Sequence, residues 1–134
     1  SEVTLKEIKE TADVISIHSS LTKESYEILN TKFINECKKP FWLINTSRGN
    51  CVKIKDLIKG IKEKKVLGAA LDVLEFEKKS FEKLLEPSNS NDDLSFLINS
   101  KKIILTPHIA GWTHESKLLL VKIILKKIKK LFAL

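Results

Sequence analysis

The sequence contains no methionine, four glycines, two cysteines and a single arginine. Gly49, Gly60, Gly68 and Gly111 lie too far apart to make a G-x-G-x-x-G turn. The glycine-rich loop that cradles a dinucleotide pyrophosphate is therefore absent. Cys37 and Cys51 stand singly, without C-x-x-C spacing. That argues against a zinc site or a disulfide framework and for a reducing compartment, the cytoplasm. No stretch approaches the roughly 20 uncharged apolar residues of a membrane helix. Ser1-Glu2-Val3-Thr4-Leu5-Lys6 has neither the basic end nor the apolar run of a signal peptide. With no initiator methionine, the chain is expected to be trimmed or truncated upstream. Neither a membrane partner nor a resident metal is expected.

The 134 residues suffice for one modest domain or part of a larger one, and a charged share of 31% is ordinary for a soluble fold. The net charge of +7 raises the question of nucleic acid. Lysines are interleaved with acids until the last helix, where Lys117, Lys122, Lys126, Lys127, Lys129 and Lys130 dominate. No aromatic or arginine cluster accompanies them, so they are read as a solvated face. A nucleic-acid module would instead show salt-sensitive binding through these lysines. All but one of the 24 basic residues are lysine. The lone guanidinium, Arg48, asks for a reason.

Periodicity gives alternating strands and helices. Short strands are predicted at 13–18, 41–45, 69–73 and 103–105. Helical segments are predicted at 23–29 and 31–37, with Thr22 and Asn30 as N-caps. Ile54, Leu57, Ile58 and Ile61 follow the i, i+3, i+4, i+7 pattern of an amphipathic helix. Residues 86–93 are the most loop-like. A long helix is expected at 113–132, with Ile124, Leu125, Ile128 and Leu131 on its apolar face. The order implies one α/β unit, a partial doubly wound, Rossmann-like parallel sheet of about four strands covered on both faces.

Ligands of open parallel sheets bind beyond the carboxyl ends of the strands. The polar residues at those ends are His18-Ser19-Ser20-Leu21-Thr22, Asn45-Thr46-Ser47-Arg48-Gly49, Asp72 with Glu75 and Glu77 beyond it, and His108. Singly, each has an ordinary explanation as a turn cap, a surface charge or a structural histidine. Together they are the parts for oxidising a 2-hydroxy acid. Histidine can take the hydroxyl proton near neutral pH. A glutamate beside it would orient the ring and favour its charged form. A guanidinium fork matches the substrate carboxylate where lysine would not.

In order and spacing these segments resemble the D-isomer-specific 2-hydroxyacid dehydrogenase family over nearly the whole chain. Asp13-Val14-Ile15-Ser16-Ile17-His18-Ser19-Ser20-Leu21-Thr22 is similar to its strand with a His-x-Pro-Leu-Thr loop. Asn45-Thr46-Ser47-Arg48-Gly49 is similar to Asn-x-x-Arg-Gly. Gly68-Ala69-Ala70-Leu71-Asp72-Val73 with Glu77 is similar to Gly-Ala-x-x-Asp-Val with its following Glu. Leu105-Thr106-Pro107-His108-Ile109-Ala110-Gly111 carries the Thr-Pro-His signature.

The resemblance implies an NAD-dependent oxidoreductase. In it Arg48 binds the substrate carboxylate, His108 is the general acid/base and Glu77 is its carboxylate partner. Glu75 is the rival for the last role, at a spacing wrong for the family. Asp72 would contact the nicotinamide carboxamide, and Thr46, Ser47, Arg48, His108 and Ala110 would line the nicotinamide side. His18, Ser19, Ser20 and Ser25 would lie at the adenosine end. Ser20 stands where the family has proline, which removes a φ restraint. Residues 1–134 would be the C-terminal part of the NAD-binding domain, without its G-x-G-x-x-G half and without the substrate domain.

Residues 73–78 and 110–113 resemble a bacterial phosphoglycerate dehydrogenase subgroup, implying 3-phosphoglycerate as substrate, serine biosynthesis as setting and a homodimeric intact enzyme. An inactive remnant or split subunit, acting only through a partner, is the alternative. By the family's topology Val14–Ile17 would be an unprotected sheet edge. The chain alone is therefore expected to aggregate or to associate with a complementary segment.

Overall fold

The structure, a computed structural model, describes residues 2–75 and 92–132. Four parallel strands, β1 (Val14–Ile17), β2 (Phe41–Asn45), β3 (Val66–Leu71) and β4 (Ile103–Leu105), lie side by side in sequence order. Parallel neighbours need crossovers, and helices supply them: α2 (Thr31–Glu36), α3 (Ile54–Lys62) and α4 (Asp92–Asn99). Helix α1 (Leu5–Thr11) precedes β1, and α5 (His114–Phe132) follows β4. This is the Rossmann-like α/β arrangement expected from the sequence.

The core lies on one side of the sheet. Phe41 and Leu43 of β2, Val66, Ala69 and Leu71 of β3, and Phe33, Ile34, Leu57, Ile61, Leu94 and Leu97 of the helices form one buried cluster. The predicted α3 face, Ile54, Leu57, Ile58 and Ile61, is wholly buried. The alternate strand positions Val14, Trp42 and Ile104 are exposed. The cover expected on both faces is thus one-sided among the described residues, because α2, α3 and α4 all pack into that one cluster.

Three local features differ from expectation. The stretch 23–29 is not a helix: residues 23–27 form turns and Leu29 an isolated bridge. Glu27 takes φ 47° and gives its N–H to the Asn50 carbonyl, and Leu29 forms a parallel bridge with Val52. Leu29 and Val52 are completely buried. Burying them is worth about 1.5–3 kcal/mol each, against helix preferences that differ by at most about 0.7 kcal/mol per residue, so tertiary contact competes with local preference here. The third strand starts at Val66 instead of 69. Gly68 is admitted there because a Cβ would lie 2.6 Å from both the Trp42 ring and the Lys102 carbonyl. Helices α1 and α4 were not foreseen. The loop-like stretch at 86–93 lies mainly outside the described residues, and its end, Asp92 and Asp93, opens α4.

Candidate functional site at the strand ends

Register aligns the strand ends. Ile17 pairs with Asn45, Asn45 with Leu71, and Leu71 with Leu105. The next residue in each strand is therefore His18, Thr46, Asp72 and Thr106. At about 4.8 Å between strands, the four occupy one row roughly 14 Å long. The ladder continues into it: Asp72 N–H donates to the Asn45 carbonyl (2.9 Å), Thr106 N–H to that of Leu71 (3.1 Å), and His108 N–H to that of Asp72 (2.9 Å).

The second loop is organised by Asn45, which is completely buried. Its amide donates to the Arg48 carbonyl (3.1 Å) and its side-chain oxygen accepts from Ser47 N–H (3.1 Å). This closed turn presents Thr46 and Arg48 to solvent while Ser47 points in. Ser47 Oγ donates to the Ser19 carbonyl, tying the first two loops together. Arg48 Nη1 donates to the Ser47 carbonyl at 2.7 Å. Gly49 follows because nothing larger fits: a Cβ there would come within 2.0 Å of the Leu74 carbonyl oxygen. The arginine loop therefore leans directly on the segment after β3.

In the third loop the buried Asp72 carboxylate accepts from Thr106 Oγ1 (2.5 Å) and Ile109 N–H (2.9 Å) on Oδ1, and from Ala110 N–H (2.9 Å) on Oδ2. His108 is exposed and has φ 55°. Glu75 points elsewhere: its Oε1 accepts from Ile54 N–H at 3.3 Å, at the start of α3. Burial pushes its carboxyl above the usual range, the Ile54 hydrogen bond opposes this, and the charges of Glu27 and Asp93 add to it. A carboxylate engaged at a helix start is poorly placed to serve His108. Glu77, the residue favoured for that role, lies outside the described residues.

At the first loop, His18 is exposed with its Nε2 2.7 Å from Ser16 Oγ. Ser19 and Ser20 are exposed. Ser25 is buried and serves its own loop, donating to the Ser20 carbonyl (2.7 Å) and accepting from Thr22 N–H (2.8 Å). Its contribution to the row is thus to shape the 20–25 turn. Of the sequence-selected residues, the structure joins the loops of Ser19, Ser47 and Arg48 to one another and those of Asp72, His108 and Ala110 to one another. Asn45 and Gly49 were seen only as parts of a motif. The signals for their roles were a polar residue at a core-facing strand position and a glycine directly after the arginine.

A parallel sheet whose strand ends gather a guanidinium, a buried aspartate and a histidine is a cofactor-binding α/β domain of the dehydrogenase type. Residues 1–110 match the family described as D-isomer specific 2-hydroxyacid dehydrogenase, NAD binding domain, and the chain belongs to that family. NAD is the cofactor of this domain. The chain is 37% identical over 114 residues to a D-lactate dehydrogenase of Lactiplantibacillus plantarum, covering 84% of this chain and 34% of the relative. It is 39% identical over 113 residues to a glyoxylate reductase of Thermofilum pendens, covering 84% and 30%. A crystal structure of D-lactate dehydrogenase with NAD+ from Lactobacillus jensenii superposes with TM-score 0.80 at 29% identity, over 92% of this chain and 38% of that one. The chain spans about a third of the length of the curated relatives it matches. Among the described residues, no helix is long and apolar enough to cross a membrane.

Proposed function

We propose that residues 1–134 are the C-terminal part of the NAD-binding domain of a D-2-hydroxyacid dehydrogenase, whose G-x-G-x-x-G half and substrate domain lie outside this sequence. The carrying observation is the row of strand ends, where the Arg48 loop leans on the segment after Asp72 and Asp72 binds the His108 loop. NAD supplies or accepts the hydride. Arg48 holds the carboxylate of the 2-hydroxy or 2-oxo acid, and His108 moves the proton on the C2 oxygen. Glu77 serves as the carboxylate partner of His108. Thr46, Ser47, Asp72 and Ala110 sit at the nicotinamide side, and His18, Ser19, Ser20 and Ser25 at the adenosine end.

The matching relatives carry the names D-lactate dehydrogenase and glyoxylate reductase. The 3-phosphoglycerate reading rests on residues 73–78 and 110–113, of which 76–78 lie outside the described residues. The supported substrate class is accordingly the D-2-hydroxy acid and its 2-oxo acid, with 3-phosphoglycerate one member to be assayed. A cytoplasmic homodimer is the setting we assign to the intact enzyme. The alternative reading is an inactive remnant or split subunit that works only through a partner.

A hybrid in which this chain replaces the matched region of the L. plantarum D-lactate dehydrogenase tests the assignment. It should reduce 2-oxo acids with NADH, and a panel including pyruvate, glyoxylate and 3-phosphohydroxypyruvate would rank substrates. His108→Ala should lower kcat by about 10²–10⁴-fold. Arg48→Lys should lower kcat/KM for the 2-oxo acid by roughly 10- to 100-fold, the value of one charged hydrogen bond. A hybrid that folds, binds NADH and turns over nothing would favour the remnant.

A further inference from the structure

We propose that Asp72 is a positioning residue for His108, acting through the backbone of residues 106–110; this rests on the reading of His108 as the acid/base. Among the described residues its carboxylate meets three groups, and all three are donors: the Thr106 hydroxyl and the N–H groups of Ile109 and Ala110. Its own carbonyl accepts the His108 N–H. Thus one residue, only 3% exposed at the end of β3, binds the loop on both sides of the histidine.

His108 itself is in the left-handed region, at φ 55°. A residue there, followed by successive N–H groups pointing the same way, makes a concave nest that suits an anion. Here the anion is supplied from within the fold. The loop is built around the Asp72 carboxylate, and without that negative charge two convergent N–H groups and a hydroxyl have no common acceptor. Asparagine cannot substitute, because its NH2 would face a donor at one end whichever way the amide is turned. Left-handed backbone is disfavoured for a non-glycine residue, so the histidine keeps this direction only while the surrounding bonds hold it. Among the described residues, Oδ1 accepts two hydrogen bonds and Oδ2 one, so both oxygens are committed to the histidine loop.

The test is hydrogen–deuterium exchange of the 134-residue chain at low micromolar concentration, read on a peptide covering 106–112 and on one from β3. Asp72→Asn should speed exchange in 106–112 by about tenfold or more and leave 66–71 unchanged. Thr106→Val, which removes one donor and spares the carboxylate, should give a smaller increase in the same peptide, and Thr106→Ser should restore the wild-type rate. If Asp72→Asn fails to fold, the Thr106 pair decides alone. Unchanged exchange in 106–112 in every variant that folds would overturn the proposal. So would equal acceleration in 66–71, which marks a general structural role. A silent hybrid enzyme with the expected exchange pattern would instead sink the dehydrogenase reading and leave the clamp standing.

Discussion

At Gly49 the argument is one of backbone against backbone. A Cβ would meet the Leu74 carbonyl oxygen at 2.0 Å, its carbon at 2.1 Å and Glu75 N at 2.7 Å. None of these is the flexible end of a side chain, so the loops must separate. Gly49→Ala should destabilise by about 1–3 kcal/mol, the range of overpacking, measured as a lower urea midpoint. Glu75 behaves differently, because its carboxyl is held above the usual range chiefly by burial. The folded chain then binds that proton more tightly than the unfolded one, so its stability falls as pH rises through the unfolded and then the folded pKa. Glu75→Gln keeps an oxygen for Ile54 N–H and carries no charge. It should raise the Tm at pH 7 and make no difference near about pH 3.5, where the glutamate is already neutral. A lower Tm at pH 7 would show that the charged form is the better cap for α3.

Elements were readable where an apolar face meets the core. The α3 spacing of Ile54, Leu57, Ile58 and Ile61 is a buried stripe. Asn30 caps α2 as predicted, its side chain accepting from Phe33 N–H at 3.0 Å. Asn30→Ala should cost about 1 kcal/mol, visible as a drop in the denaturation midpoint with little change in slope. Helix α1 was missed because its signal is slight: seven residues carry two apolar positions, Leu5 and Ile8, neither of them buried, behind the Thr4 cap that accepts from Glu7 N–H. The segment at 23–29 misled because its fate is set by Asn50 and Val52, more than 20 residues away, and not by local preference. The row of polar strand ends was legible for the opposite reason. Strands end in polar residues, and parallel register places those residues in one row whatever their distance in sequence. What spacing alone could not show was which way a side chain turns: Glu75 toward α3, Ser25 into its own loop, Asp72 toward the histidine segment.

Among the described residues, one strand edge and two apolar faces stand in water. Strand β1 pairs only with β2 among the described strands, so its outer edge is open. The sheet face bearing Val14, Trp42 and Ile104 is uncovered. Helix α5 buries nothing, and Leu120, Ile124, Ile128 and Leu131, which share a stripe, are all exposed. Isolated apolar residues on a surface are unremarkable, but a contiguous stripe on a 19-residue helix is not. The chain at tens of micromolar should therefore elute as species larger than its 15.3 kDa monomer. Ile124→Lys with Ile128→Lys breaks the stripe without touching the core cluster, so it should shift the population toward monomer at unchanged secondary structure. Val14→Lys at the β1 edge should shift it less, since the edge strand offers four residues against the whole length of α5. A wild-type chain that is monodisperse at 15.3 kDa and melts cooperatively would mean that these faces are tolerated in water and that the sheet is stable with an open edge.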